Sequence, residues 1–146
     1  MFTECYCTQF RRSANALTSI YDEALRPIGL KITQLTLLRS LSRLKSATYN
    51  EIAAELSLDK TTISRNIKLL IDAGWVDVSG DTDARFKVAQ LSPAGVKVLK
   101  RAEPHWRAAQ KQVETEMTKH LKVPAQAVLL DALEALQRVG AARLEG

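Results

Sequence analysis

The chain has 146 residues, about one domain's worth, with 46% hydrophobic and 25% charged residues; that balance excludes a disordered chain. Lys and Arg number 21 against 16 Asp and Glu, a net charge of +5, which admits a nucleic-acid partner without requiring one. No stretch lacking Asp, Glu, Lys and Arg exceeds nine residues (Ser13–Tyr21 and Val88–Val96), and the start Met1-Phe2-Thr3-Glu4 has neither the basic nor the apolar region of a signal peptide, so a cytoplasmic chain with no membrane partner is expected.

Phe10, Ala14, Leu17, Tyr21 and Leu25 recur at helical spacing, and Pro27 and Gly29 close that first helix. Leu35, Leu37, Leu38, Leu41 and Leu44 predict a second helix, with Thr33 as its cap. Thr48-Tyr49-Asn50-Glu51 reads as a capping box for a short third helix that turns Ile52, Ala53 and Leu56 inward. Ser57-Leu58-Asp59 breaks the period, and Asp59 caps a fourth helix with Ile63, Ile67, Leu70 and Ile71 inward, closed by Gly74. Trp75–Ser79 and Lys87–Leu91 alternate and predict two strands joined by the polar loop Gly80–Phe86. Ser92-Pro93 opens a long helix with the stripe Leu99, Ala102, Trp106, Ala109, Val113, Met117 and Leu121. Pro104 falls inside it, where a kink or a break is expected. Pro124 starts a last helix carrying Leu129, Ala132, Leu133, Leu136 and Val139. The fold class is therefore mainly α with a small β-hairpin.

Helix, three-residue turn, helix and hairpin in succession form a winged helix-turn-helix, whose second helix enters the DNA major groove by its N-terminal residues. With Ile63 and Ile67 inward, that helix presents Lys60, Thr61, Thr62, Ser64, Arg65 and Lys68, and no carboxylate occurs between Lys60 and Ile71. Hydroxyls, ammonium groups and a forked guanidinium suit phosphates and base edges. In the hairpin loop Arg85 suits the minor groove, with Asp83 as the residue that orients it. A winged helix serving as a protein-interaction module would instead carry apolar groups at Thr62, Ser64, Arg65 and Arg85. The sequence contains no GxSxG, HExxH, P-loop or GxGxxG pattern, so an enzyme is not expected, nor is a cofactor.

Residues Thr48 to Gly95 resemble the MarR family of winged helix-turn-helix regulators. The resemblance rests on Glu51–Arg65, on Leu70-Ile71-Asp72-Ala73-Gly74-Trp75-Val76, on Asp83-Ala84-Arg85 and on Leu91-Ser92-Pro93-Ala94-Gly95. Two features depart from the family pattern: Ser57 stands where such turns often have glycine, and the wing has one arginine followed by Phe86. The resemblance implies a homodimer that represses from a pseudo-palindromic site on double-stranded DNA. It assigns residues 33–91 to the DNA-binding lobe and residues 1–30 and 92–146 to helical dimerisation. The three terminal stripes also hold more apolar surface than one small domain needs.

The resemblance further implies relief by a small aromatic or carboxylate effector, with Arg11, Arg12 and Arg43 as candidate cations. A redox-sensing repressor of the same fold is the alternative, with Cys5 or Cys7 as the sensor; a bridge between two residues so close is not easy, so a disulfide would rather join subunits. A CxC pair with no second pair or nearby histidine is a poor zinc site, and no metal is expected.

Overall fold

The computed structural model describes residues 4–80, 83 and 86–144. In chain order it runs α1 (Tyr6–Leu25), a 3₁₀ turn (Arg26–Ile28), α2 (Ile32–Leu44), β1 (Ser46–Thr48), α3 (Tyr49–Leu56), α4 (Lys60–Asp72), β2 (Val76–Ser79), β3 (Val88–Leu91), α5 (Pro93–Leu121) and α6 (Ala125–Leu144). Residues 1–106 form one compact unit and residues 107–146 another.

The local signals operate as the sequence dictates. Thr48 accepts a hydrogen bond from the Glu51 N–H at 3.2 Å, and the Glu51 carboxylate accepts from the Thr48 N–H at 2.7 Å, so two donors at the start of α3 are satisfied reciprocally. Gly29 and Gly74 take left-handed conformations at φ 74° and 76°. Ser57 does the same at φ 52° and ends α3 there, a conformation that costs a residue with a Cβ more than it costs glycine.

Four expectations are corrected. First, α2 begins at Ile32, and Thr33 does not cap it. Its opening donors are met from elsewhere: the Ile32 N–H donates to Asp22 of α1 at 2.7 Å, and the Lys31 N–H to the Gln34 side chain at 2.9 Å. Second, there is a third strand. β1 pairs antiparallel with β3, giving the sheet order β1-β3-β2, with Ala89 facing Ala47 on one side and Val78 on the other. Three residues ending in a helix cap carry no strand periodicity of their own; β3 supplies the partner. Third, Leu44 and Ile71 point outward, 36% and 40% exposed. Leu44 is the last residue of α2, and Ile71 follows the buried Leu70 by one position, which turns it about 100° away from that residue on the helix. Fourth, of the kink or break expected at Pro104 the break does not occur: α5 is one continuous helix of 29 residues.

The core of the first unit is built from Leu25, Leu30, the α2 leucines 35, 37, 38 and 41, Ile52, Ile63, Ile67 and Leu70, closed by Val76, Ala89, Val98 and Ala102. Alanines at 47 and 89 occupy the sheet face and are 2% and 0% exposed. Their short side chains let α2 lie close on β3. The start of α5 is fastened to the end of α4: the Ser92 hydroxyl donates to the Gly74 carbonyl at 2.6 Å and accepts from the Gly95 N–H at 3.0 Å. A Cβ at Gly95 would lie 2.0 Å from the Trp75 carbonyl oxygen, so only glycine permits this approach.

Helix α1 buries only Leu25 fully; Leu17 and Tyr21 are half-buried, Ala14 is exposed, and Tyr6, Phe10 and Ile20 are 78%, 39% and 37% exposed. In the second unit α6 leaves Val128, Leu130, Leu136 and Val139 between 44% and 64% exposed. No helix among the described residues is long and apolar enough to cross a membrane.

Candidate nucleic-acid interface

Helix α4 is set by its two ends. At its start the Asp59 carboxylate accepts from the Thr62 N–H at 2.8 Å and from the Thr62 hydroxyl at 2.7 Å. The Thr62 hydroxyl, and after it the backbone N–H, hold the Asp59 carboxyl below the usual carboxylate range. Ile63, Ile67 and Leu70 anchor the inner face. The opposite face then presents Lys60, Thr61, Ser64 and Arg65, all exposed. Among the described residues neither Lys60 nor Arg65 makes an ion pair.

Two residues expected on that face are otherwise engaged. The Thr62 hydroxyl is committed to Asp59, so Thr62 is a capping residue and only half exposed. Lys68 donates to Asp72 at 3.0 Å across one helical turn. The free chemistry of α4 is thus concentrated in Lys60, Thr61, Ser64 and Arg65, its first two turns, where a helix inserted end-on meets base edges.

The wing is described in part. Asp83 is half-buried, and its carbonyl accepts from the Phe86 N–H at 3.0 Å. Phe86 is 62% exposed. Arg85 lies outside the described residues, and with it the expected Asp83–Arg85 contact.

The three candidate effector cations are not equivalent. Arg43 of α2 is ion-paired with Glu55 of α3, which ties it to the helix-turn-helix. Arg11 and Arg12 lie on exposed positions of α1. None of the three lines the cavity of about 530 Å³ at the α1–α2 corner, where Asp22, Glu23, Arg26 and Lys31 stand. Sequence reasoning missed a further cation, Arg39 of α2. Its guanidinium reaches Glu103 of α5 at 2.7 Å and lies 3.7 Å from the centroid of the Trp106 ring. No linear signal marks that cluster, because Arg39 and Glu103 are 64 residues apart.

Cys5 and Cys7 are both exposed, and neither is in a disulfide among the described residues. Cys5 occupies the N-cap of α1, and hydrogen bonds from the Thr8 hydroxyl and then the Thr8 N–H lower its thiol pKa below the ordinary value. Among the described residues no group of three or more His, Cys, Asp or Glu could hold a metal ion.

Residues 28–85 match the model of the MarR family. The transcriptional regulator MosR of M. tuberculosis, solved in complex with DNA, is 35% identical; the match covers 96% of this chain and 99% of that one, with a TM-score of 0.80. The chain belongs to the MarR family. The HTH-type transcriptional regulator YwoH of Bacillus subtilis is 32% identical over 84 residues, which span 58% of this chain and 61% of that protein. A mutant MarR from E. coli, solved with operator DNA, has a TM-score of 0.75 over 88% of this chain and 91% of that one at 21% identity, a likeness of fold. As a member of the MarR family the chain is a transcriptional regulator, and its three-stranded sheet with β2 and β3 as the wing is the winged-helix arrangement of that fold.

Proposed function

We propose that this chain is a homodimeric DNA-binding repressor that recognises a near-palindromic site through α4 and the wing. The observation that carries this reading is the first two turns of α4: Lys60, Thr61, Ser64 and Arg65 stand exposed on a helix fixed by Asp59 and by a buried inner face. The relationship to MosR, a regulator solved with DNA and aligned over 96% of this chain, supports it. Residues 33–91 form the DNA-binding lobe, and residues 1–30 and 92–146 supply the dimer helices. Exposed Tyr6, Phe10 and Ile20 on α1, and Val128, Leu136 and Val139 on α6, give each of those helices an apolar face for a second copy. Selection of bound sites from random-sequence DNA tests the reading. The expected consensus has two-fold symmetry with half-sites about one helical turn apart, and a consensus without symmetry counts against the dimer. Relief by a small aromatic or carboxylate effector belongs to the same reading, with Arg11, Arg12 and Arg43 as the candidate cations.

A second reading is favoured by one observation, the exposed thiol of Cys5 at the N-cap of α1 with its lowered pKa. In this reading oxidation of Cys5 releases DNA. Peroxide then abolishes DNA binding by the wild type and by Cys7→Ser, and not by Cys5→Ser; equal binding before and after peroxide rejects it.

A further inference from the structure

Helix α4, the wing and helix α5 meet at one residue. Helix α4 ends in a Schellman pair: the Trp75 N–H donates to the Leu70 carbonyl at 2.9 Å, and the Gly74 N–H to the Ile71 carbonyl at 2.8 Å. The next two carbonyls, those of Gly74 and Trp75, both accept from Ser92, the first from its hydroxyl at 2.6 Å and the second from its N–H at 3.0 Å. Toward α5 the same hydroxyl accepts from the Gly95 N–H, and the Ser92 carbonyl from the Val96 N–H, each at 3.0 Å. Ser92 is therefore the N-cap of α5. Val76 pairs with Leu91 at the foot of the hairpin, so the bond from Ser92 to Trp75 also closes the base of the wing.

From this junction we propose that Ser92 is a positioning residue for DNA recognition: it fixes α4 and the wing against α5, and so sets the half-site spacing that the dimer accepts. This rests on the DNA-binding homodimer reading above and adds to it the residue that joins the DNA-contacting elements to a dimer helix.

Ser92 does not act by touching DNA. It is 6% exposed, and its N–H, carbonyl and hydroxyl are all engaged within the protein. Its hydroxyl stands one carbon from its own backbone and bonds to backbone on both sides, so the link from α4 to α5 has a single rotatable side-chain bond. The apolar contacts beneath it, made by Val98 and Ala102 of α5, are non-directional and hold the elements together without fixing an angle. The hydrogen bonds supply the direction. From this cap α5 runs on as one helix of 29 residues, so the angle set at Ser92 is carried along its length. A two-fold dimer presents two copies of α4, and the spacing of the half-sites mirrors their separation. One inserted base pair moves a half-site by about 3.4 Å along the duplex and turns it by about 35°. A stiff joint rejects that change, and a loosened one follows it.

The test uses full-length wild type, Ser92→Ala, Ser92→Cys and Ser92→Thr under a reducing agent. Affinity is measured by fluorescence anisotropy for duplexes carrying the selected site with its own spacing, one base pair more and one base pair fewer. Thermal melts run alongside. The wild type should bind both altered duplexes about ten-fold or more weakly than its own. Ser92→Ala should bind the original site several-fold more weakly and discriminate against the altered spacings by only about three-fold or less, with the base preference of each half-site unchanged. Ser92→Thr keeps the hydroxyl and should restore wild-type discrimination. Ser92→Cys, whose thiol is a weaker donor and acceptor, should fall between, and it stands in for Ser92→Ala if that variant does not fold. A lowered melting temperature with wild-type spacing discrimination makes Ser92 a helix cap and nothing more, and overturns the proposal. So does a failure of Ser92→Thr to restore discrimination, or a wild type that binds all three spacings equally. A wild type that binds no DNA sequence selectively overturns the DNA-binding reading itself.

Discussion

Arg39 lies over Trp106 at 3.7 Å from the ring centroid while its guanidinium reaches Glu103 at 2.7 Å. One residue of α2 thus holds two residues of α5 a turn apart, by charge and by the face of an indole. Both partners of the ion pair are about one-third exposed, so water screens part of that attraction. Arg39→Ala should destabilise the chain by about 1–2 kcal/mol and blue- or red-shift the Trp106 emission. Arg39→Lys should recover less than half of that loss, because an ammonium group cannot lie flat on the ring and pair in the same plane. Urea unfolding of the two variants measures both; equal stability of Arg39→Ala and wild type contradicts the strut.

Gly95 should be the most sensitive glycine among the described residues. Its absent Cβ would sit 2.0 Å from the Trp75 carbonyl oxygen, which is backbone and cannot rotate away. Gly95→Ala should cost about 3 kcal/mol or more, by forcing the start of α5 off the end of α4. Gly140→Ala, with nothing within 4 Å of the new methyl group, is the control and should be neutral or slightly stabilising. Thermal melts of the pair decide it.

Two helix caps predict how stability depends on pH. The Glu51 carboxyl is held low by the Thr48 N–H and then its hydroxyl, and the Asp59 carboxyl by the Thr62 hydroxyl and then its N–H. Folded values below the unfolded ones, roughly 4.3 and 3.9, mean stability that is present above those values and lost as pH falls through the lower folded ones. The urea midpoint should therefore drop as pH is lowered below about 4. Asp59→Asn keeps a capping oxygen and cannot be protonated in this range, so its midpoint should fall less steeply between pH 4 and pH 2. Parallel curves for wild type and variant would remove Asp59 from the account.

Arg65 and Lys68 should separate cleanly in DNA binding although both are exposed cations of α4. Arg65 has no ion-pair partner among the described residues, while Lys68 is bound to Asp72 at 3.0 Å. Arg65→Ala should cost roughly 1–3 kcal/mol and relax preference at one position of each half-site. Lys68→Ala should change affinity much less, since its charge is already answered and it lies a turn further from the groove-entering end. A larger loss for Lys68→Ala than for Arg65→Ala would reverse these roles.

Much of this protein is determined by short-range sequence. The Thr48–Glu51 and Asp59–Thr62 caps act over three residues, so their partners are visible in the chain itself. The same is true of the glycine at 74 after α4, of Ser92-Pro93 before α5, and of the apolar spacing that turns Ile63 and Ile67 inward and leaves Lys60, Thr61, Ser64 and Arg65 outside. The order of those signals also carried the family. Tertiary structure decided whatever depended on a partner distant in sequence. Strand β1 exists because β3 lies beside it. The first donor of α2 is met by Asp22, ten residues upstream, where local spacing points to Thr33 as the cap. Arg39 became a strut, and Leu44 and Ile71 were left facing outward, because a helix's period fixes which residues share a face while the elements packed against it fix how much of that face is covered.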